Sequence, residues 1–186
     1  FAGEEKYLAK TVVVTTGAQN VWLDVPGEKE LIGRGVSTCA PCDGPFFKNK
    51  IVAVVGGGDT AMEEASVLTK YASKVYLIHR RDTFRASFIM QEKVKKNPKI
   101  EIVWNTEITG VLGDSGQVTG LKITNNKTNK LSKITLEGLF VAIGHKPESD
   151  LFTGKLEKDE KGFIKNHFGK YHCGTSTPGV FVAGDV

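Results

Sequence analysis

At 186 residues the chain has room for one ordinary domain, or one and a half, but not for two full ones. Apolar residues make up 40% and charged residues 25%, which excludes an intrinsically disordered chain and leaves ample material for a core. The net charge of +4 is mild and scattered, whereas a nucleic-acid binder usually concentrates its basic residues in a stripe, so no nucleic-acid partner is expected.

The first predicted strand is Thr11 to Thr15, ended by Thr16-Gly17-Ala18. Ile51 to Val55 is a continuous apolar run of the kind a central parallel strand shows. Gly56-Gly57-Gly58 breaks it, and a helix follows from about Asp59 to Ala72. Ala61, Ala65, Leu68 and Ala72 form its apolar face, and Thr60-x-x-Glu63 fits a capping box. Val75 to Ile78 is the next strand, completing a βαβ unit. A second helix is predicted from Ala86 to Lys96, stopping before Pro98, and Ile100 to Trp104 is a third strand. Short strands then alternate with turns at Asp114-Ser115-Gly116 and Asn125-Asn126-Lys127. Leu139 to Ile143 closes the unit at Gly144, and Pro147 marks an exit linker. A last strand, Val180 to Ala183, is followed by Gly184-Asp185-Val186. A chain that opens without methionine and stops just after a buried strand reads as a fragment, with sheet partners missing at both ends. Apolar runs of about five residues fall far short of the ~20 needed to span a bilayer, so no membrane association is expected. No signal-peptide pattern is present and three cysteines are too few for a disulfide scaffold, so cytoplasm is the expected compartment.

Two motifs carry chemistry. Gly56-x-Gly58-x-x-Ala61 follows a predicted strand and opens a predicted helix, the setting a dinucleotide fingerprint requires. The first glycine permits the tight turn, the second lets backbone approach the pyrophosphate, and the small third residue lets helix pack on strand. An NAD site usually carries a carboxylate about 20 residues after the glycines. Here that place holds His79-Arg80-Arg81, with Arg85 close behind, a cluster suited to grip a 2′-phosphate; the cofactor expected is NADPH. His79 alone is also compatible with strand-end packing. Cys39-x-x-Cys42, the second motif, suits a disulfide that opens and closes easily, with Asp43 beside it as a candidate acid/base. The same spacing is half of a zinc site, for which only His172-Cys173 could stand as the other half, at unsuitable spacing.

Taken together, the chain resembles the low-molecular-weight thioredoxin reductases. The resemblance rests on Thr16-Gly17-Ala18, Gly33-Arg34-Gly35-Val36-Ser37, CAPCDG at 39–44, VVGGGDTAMEEA at 54–65, HRRDTFRAS at 79–87, GLFVAIGH at 138–145 and PGVFVAGDV at 178–186, in the family's order. It implies two Rossmann-like α/β domains of three layers (parallel sheet, helices, β-meander). An NADPH-binding domain with the redox CxxC would run over 22–144, between connectors at 18–21 and 145–148. Residues 1–17 and 149–186 would be strips of an incomplete FAD domain.

The resemblance also implies electron flow from NADPH through FAD to the Cys39–Cys42 disulfide and on to thioredoxin, in a homodimer. Cys42 would face the flavin, Cys39 would attack the partner disulfide, and Asp43 would move the proton. Gly56, Gly58, Asp59, Thr60 and Ala61 would hold the NADPH pyrophosphate side. Arg80, Arg81 and Arg85, with His79, would hold the 2′-phosphate side, and Ile143 and Gly144 the nicotinamide half. Thr16, Gly17, Ala18, Gly184 and Asp185 would belong to FAD. The fragment by itself is expected to bind NADPH but to hold FAD poorly and not to turn over. Pro41 stands where the family more often has Thr, Val or Ile, which bears on the redox potential. Alternatives are the flavoprotein subunit of alkyl hydroperoxide reductase, a non-catalytic NADPH-binding module, and a zinc-stabilised domain.

Overall fold

The structure, a computed structural model, describes Glu5, residues 7–167 and residues 172–186. The strips 1–17 and 149–186 therefore lie in part outside the described residues. In chain order the main elements are β1 (Val12–Val14), β2 (Ala18–Asn20), β3 (Val36–Ser37), α1 (Ala40–Asp43), β4 (Ile51–Gly56), α2 (Asp59–Leu68), β5 (Lys74–Ile78) and α3 (Phe88–Lys95). They continue with β6 (Ile100–Val103), β7 (Thr106–Asp114), β8 (Gln117–Asn125), β9 (Leu131–Thr135), β10 (Gly138–Ala142), β11 (His145–Pro147) and β12 (Val180–Val182). They divide into two compact units, residues 21–143 and residues 1–20 with 144–186.

The 21–143 unit is built on a five-stranded parallel sheet of order β3-β10-β4-β5-β6. Side chains of β4 alternate between its two faces. Val52 and Val54 pack with Ala61, Met62, Ala65 and Leu68 of α2, while Ala53 and Val55 pack with Val111, Val118 and Leu121 of the antiparallel β7-β8-β9 meander. Helices cover one face and the meander the other, which is why β4 reads as unbroken apolar sequence. The result is the three-layer Rossmann-like arrangement. The hairpin at Ser115-Gly116 has positive φ at both residues, 51° and 75°, the twist a two-residue β-turn needs.

Some predicted boundaries and contacts differ. Ala61, Ala65, Leu68 and Ala72 are all buried, but α2 ends at Leu68. Beyond it Lys70 and Tyr71 donate to Val67 and Leu68, bonds of i→i−3 type that tighten the last turn. The capping box does not form. Gly58 occupies the N-cap position without a side-chain bond, so Thr60 already lies inside the helix, where its hydroxyl cannot cap. The third helix begins at Phe88, two residues late, with Ser87 at its N-cap.

In the other unit β1 pairs with β12 in parallel, Val12 opposite Val180, above a small cluster of Val14, Leu156, Ile164, Val182 and Val186. The segments expected as connectors are not plain linkers. Ala18–Asn20 and His145–Pro147 form an antiparallel strand pair. Three-residue strands with mixed composition leave no periodicity to read. Among the described residues no helix is long and apolar enough to cross a membrane.

Candidate dinucleotide and disulfide site

The glycine turn lies where β4 meets α2. It is close-packed on two sides and open on the third. A Cβ on Gly56 would stand 2.3 Å from the Ala142 carbonyl oxygen and 2.7 Å from the Ala61 Cβ. A Cβ on Gly57 would stand 2.2 Å from the His79 ring. A Cβ on Gly58 would meet nothing within 4 Å. Gly56 and Ala61 thus let strand, helix and β10 close on one another, and Gly58 offers backbone to open space. The first-turn N–H groups of α2 lack intrahelical acceptors, an arrangement suited to an anion.

A cleft of about 470 Å³ opens at the carboxyl ends of β4, β5 and β10. Chain order leaves β4 for β5 on one side while β10 flanks it on the other, the switch point at which open α/β sheets bind ligands. Of the residues expected at the nucleotide site, Gly56, His79, Arg80, Arg85 and Ile143 line this cleft, together with Gly57; Gly58, Asp59, Thr60, Ala61 and Arg81 are not part of its lining, and Gly144 belongs to the other unit. Val21, Leu23, Thr106 and Glu107 line it too. Sequence reasoning missed these four, because none sits in a motif and only the fold brings residues 21–23 and the start of β7 to the glycine turn.

The basic loop after β5 is fastened to the glycine turn by its backbone. Arg85 and Ala86 N–H groups donate to the Gly57 carbonyl at 2.8 and 3.1 Å. Ser87 donates from both its N–H and its hydroxyl to Asp59 Oδ1, each at 2.8 Å. Asp59, expected on the pyrophosphate side, has its carboxylate engaged by this loop. The Arg80 and Arg81 carbonyls accept from Asn126 and Asn105. Asp82, the one acid in the loop, pairs with Lys127 at 2.8 Å, and that lysine holds its carboxyl below the usual carboxylate range. The guanidinium groups of Arg80, Arg81 and Arg85 are exposed and make no ion pair among the described residues.

His79 packs rather than presenting charge. Its ring is buried against Phe84 and Trp104, and Nε2 donates to the Thr83 carbonyl at 3.0 Å. Burial pushes its pKa below the ordinary histidine value, and Arg81 and Arg80 lower it further, against hydrogen bonds to Thr83 and Gly56 that raise it.

Cys39 and Cys42 are joined by a disulfide across the single turn of α1. Cys39, half-buried, is the N-cap and its Sγ accepts from the Cys42 N–H at 3.3 Å; Cys42 is exposed. Ser37 accepts from the Cys39 N–H at 3.1 Å and donates to Asp43 Oδ2 at 2.6 Å. Ala40 donates to Glu64 Oε2 on α2 at 2.5 Å. Pro41 has no N–H, so every backbone donor at the start of this turn is accounted for. Ser37 and Glu64 were not singled out from sequence: they lie outside the CxxC, Glu64 by 24 positions from Ala40. Among the described residues no group of three or more His, Cys, Asp or Glu could hold a metal ion. Cys173 is exposed and outside the disulfide.

In the other unit, Gly17 and Gly184 follow the paired strands β1 and β12. Both have positive φ, 74° and 84°, and a Cβ on either would meet nothing within 4 Å. Thr16 donates from its hydroxyl to the Glu148 carbonyl at 2.6 Å, while Ala183 and Asp185 are exposed.

A glycine turn of dinucleotide type, an arginine-rimmed cleft and a CxxC disulfide in one unit built on a parallel sheet define the class: Rossmann-like α/β proteins that carry both a nucleotide-type turn and a disulfide. The chain belongs to the pyridine nucleotide-disulphide oxidoreductase family, whose model matches residues 2–186. A thioredoxin reductase of Streptomyces coelicolor is 51% identical over 178 residues, covering 96% of this chain and 54% of that protein. Thioredoxin reductase 2 of Arabidopsis thaliana is 49% identical over 194 residues, covering all of this chain and 50% of that protein. Among solved structures, the thioredoxin reductase from Giardia duodenalis superimposes with a TM-score of 0.84 at 44% identity, covering all of this chain and 60% of its own. That of Lactococcus lactis gives 0.85 at 36% identity, covering 98% and 59%. The chain spans about half the length of the curated relatives it matches.

Proposed function

We propose that this chain is the nucleotide- and disulfide-bearing part of an NADPH-dependent thioredoxin-disulfide reductase. The observation that carries this is the presence, in one folded unit, of a Cys39–Cys42 disulfide and a cleft rimmed by free arginines. A parallel sheet with nothing but a glycine turn would fit many nucleotide binders; the disulfide narrows the reading to thiol chemistry.

In this reading the backbone from Gly56 to Ala61 holds the pyrophosphate of NADPH. The open side of Gly58 gives it room, and Asp59 serves by fixing Ser87 and the basic loop. Arg80, Arg81 and Arg85 hold the 2′-phosphate, with the buried, neutral His79 as the packed floor beneath Gly57. Ile143, in the cleft lining, is on the nicotinamide side. FAD, when bound, supplies the two-electron relay between nicotinamide and disulfide; Thr16, Gly17, Ala18, Gly184 and Asp185 would hold it. The open faces of Gly17 and Gly184, at the ends of parallel strands, fit close approach of such a group. The 21–143 unit, one residue displaced at each end from the expected 22–144, is then the NADPH-binding domain, and the flanking segments contribute to the FAD domain.

Reduction of the disulfide breaks the Sγ–Sγ bond with two electrons and places a proton on each sulfur. Asp43, held by Ser37 beside the pair, is placed to move one of them. The dithiol then passes its electrons to thioredoxin, with Cys39 as the attacking thiol, forming a mixed disulfide that Cys42 resolves. The whole protein acts as a homodimer in the cytoplasm. Calorimetric titration with NADPH and NADH tests the nucleotide site. NADPH binding well ahead of NADH supports the reading, and equal or absent binding sinks it. NADPH-driven reduction of thioredoxin by the full-length protein tests the activity, and must vanish in Cys39→Ser.

A further inference from the structure

The Cys39–Cys42 turn is tied to the nucleotide-binding helix at one point that no role described so far requires. Glu64 is the sixth residue of α2, the helix that starts on the glycine turn. Its side chain is half-buried, and its Oε2 accepts the N–H of Ala40, a fully buried residue and the first of α1. A surface acid would leave that N–H to water; here it is a carboxylate from another helix. Ala40 N is bonded directly to the Cys39 carbonyl carbon, so covalent geometry keeps the carboxylate within roughly 9 Å of the Cys39 sulfur. At the effective screening of a protein surface, two negative charges at that separation oppose each other by on the order of one pKa unit.

We propose that Glu64 is a positioning residue of the redox turn: its carboxylate holds the Ala40 N–H in both redox states, and its charge disfavours the thiolate of the reduced pair. The second half is separable from simple capping, since a neutral acceptor would hold the N–H equally well. Burial raises the Glu64 carboxyl above its ordinary value, opposed by the Ala40 bond and supported by neighbouring Glu63. The other charged groups near the turn are Asp43, engaged by Ser37, and Arg34 and Lys50, which line a small cavity with Ser37 and Asp43. A Glu64 substitution leaves all of them in place.

The inference rests on reading Cys39–Cys42 as a working redox pair, but its test does not need nucleotide, flavin or thioredoxin. In a Cys173→Ser background, so that only the pair reports, thiolate absorbance is followed against pH and the disulfide is equilibrated in a dithiothreitol buffer. Glu64→Gln keeps an acceptor and removes the charge. It is expected to make thiolate formation about tenfold easier and, at a pH where the thiolate predominates, to raise the potential by about 30 mV, the equivalent of that factor for a two-electron couple. Glu64→Ala should show the same thiol shift together with a lower melting temperature. If Glu64→Gln matches the parent in both thiol titration and potential, the proposal is overturned even if Glu64→Ala fails to fold. Failure of the NADPH titration would sink the functional reading and leave this result standing.

Discussion

The nucleotide turn and the disulfide turn sit on the same parallel sheet but are held in opposite ways. At the nucleotide turn the constraint is excluded volume: Gly56 faces a carbonyl and a methyl, Gly57 faces an imidazole, and neither has room for one more carbon. At the disulfide turn the constraint is hydrogen bonding: Ser37, Glu64 and the Cys39 sulfur each accept one backbone N–H. Close packing of this kind is rigid and intolerant. A hydrogen-bonded turn of four residues can keep its shape while the covalent bond inside it opens and closes. The difference fits the two tasks proposed above, holding a nucleotide still at one end and cycling a disulfide at the other.

The sharpest way to break the comparison is at the glycines. Gly56→Ala puts a Cβ against backbone that cannot yield, and is expected to cost about 1–3 kcal/mol in urea unfolding and to abolish NADPH binding. Gly58→Ala, whose Cβ meets open space, should leave stability within about 0.5 kcal/mol of the parent while weakening NADPH. If both alanines behaved alike in unfolding, excluded volume would not be what holds this turn. Next in size, Arg81→Ala should reduce NADPH affinity by roughly 10- to 100-fold, the scale of a charge-assisted bond, with NADH affinity unchanged in the same calorimeter.

Ser37→Ala probes the hydrogen-bonded turn. It leaves the Cys39 N–H and the Asp43 carboxylate each short of a partner, at an expected cost of about 1–2 kcal/mol by thermal melting. An unchanged melt would mean that water replaces the hydroxyl at no cost. The smallest effect concerns pH. His79 has a lowered pKa, so the folded chain takes up its proton later than the unfolded chain as pH falls. The stability it contributes is fully present above the ordinary histidine value of 6.5 and is lost as pH drops from there through the folded pKa. An NMR titration should find the His79 ring protonating at lower pH than a free histidine.

Much of the fold was legible because it is local. The apolar run of β4, the helical spacing of Ala61, Ala65 and Leu68, and the turn residues of the meander each carry their own period. The fingerprint, the arginine cluster and the CxxC were legible for the same reason, since each is a short spacing with a physical meaning. What stayed hidden was long-range or too short to have a period. The strand pair β2–β11 has three residues a side, and the Ala40–Glu64, Ser87–Asp59 and Asp82–Lys127 pairs join residues 24 to 45 positions apart. Asp59 and His79 show the same limit: a motif names the residue, while its neighbours decide whether its charge is free.

By itself, then, the sequence determined the class of fold, the nucleotide turn, the arginine rim and the thiol pair, because propensity, periodicity and motif spacing act over a few residues. Only the tertiary structure decided that His79 is a packed floor, that Asp59 fastens a loop, and that Glu64 reaches the redox turn. Those are matters of which side chains share a dielectric and a hydrogen bond, and chain order does not encode them until the sheet has brought its strands together.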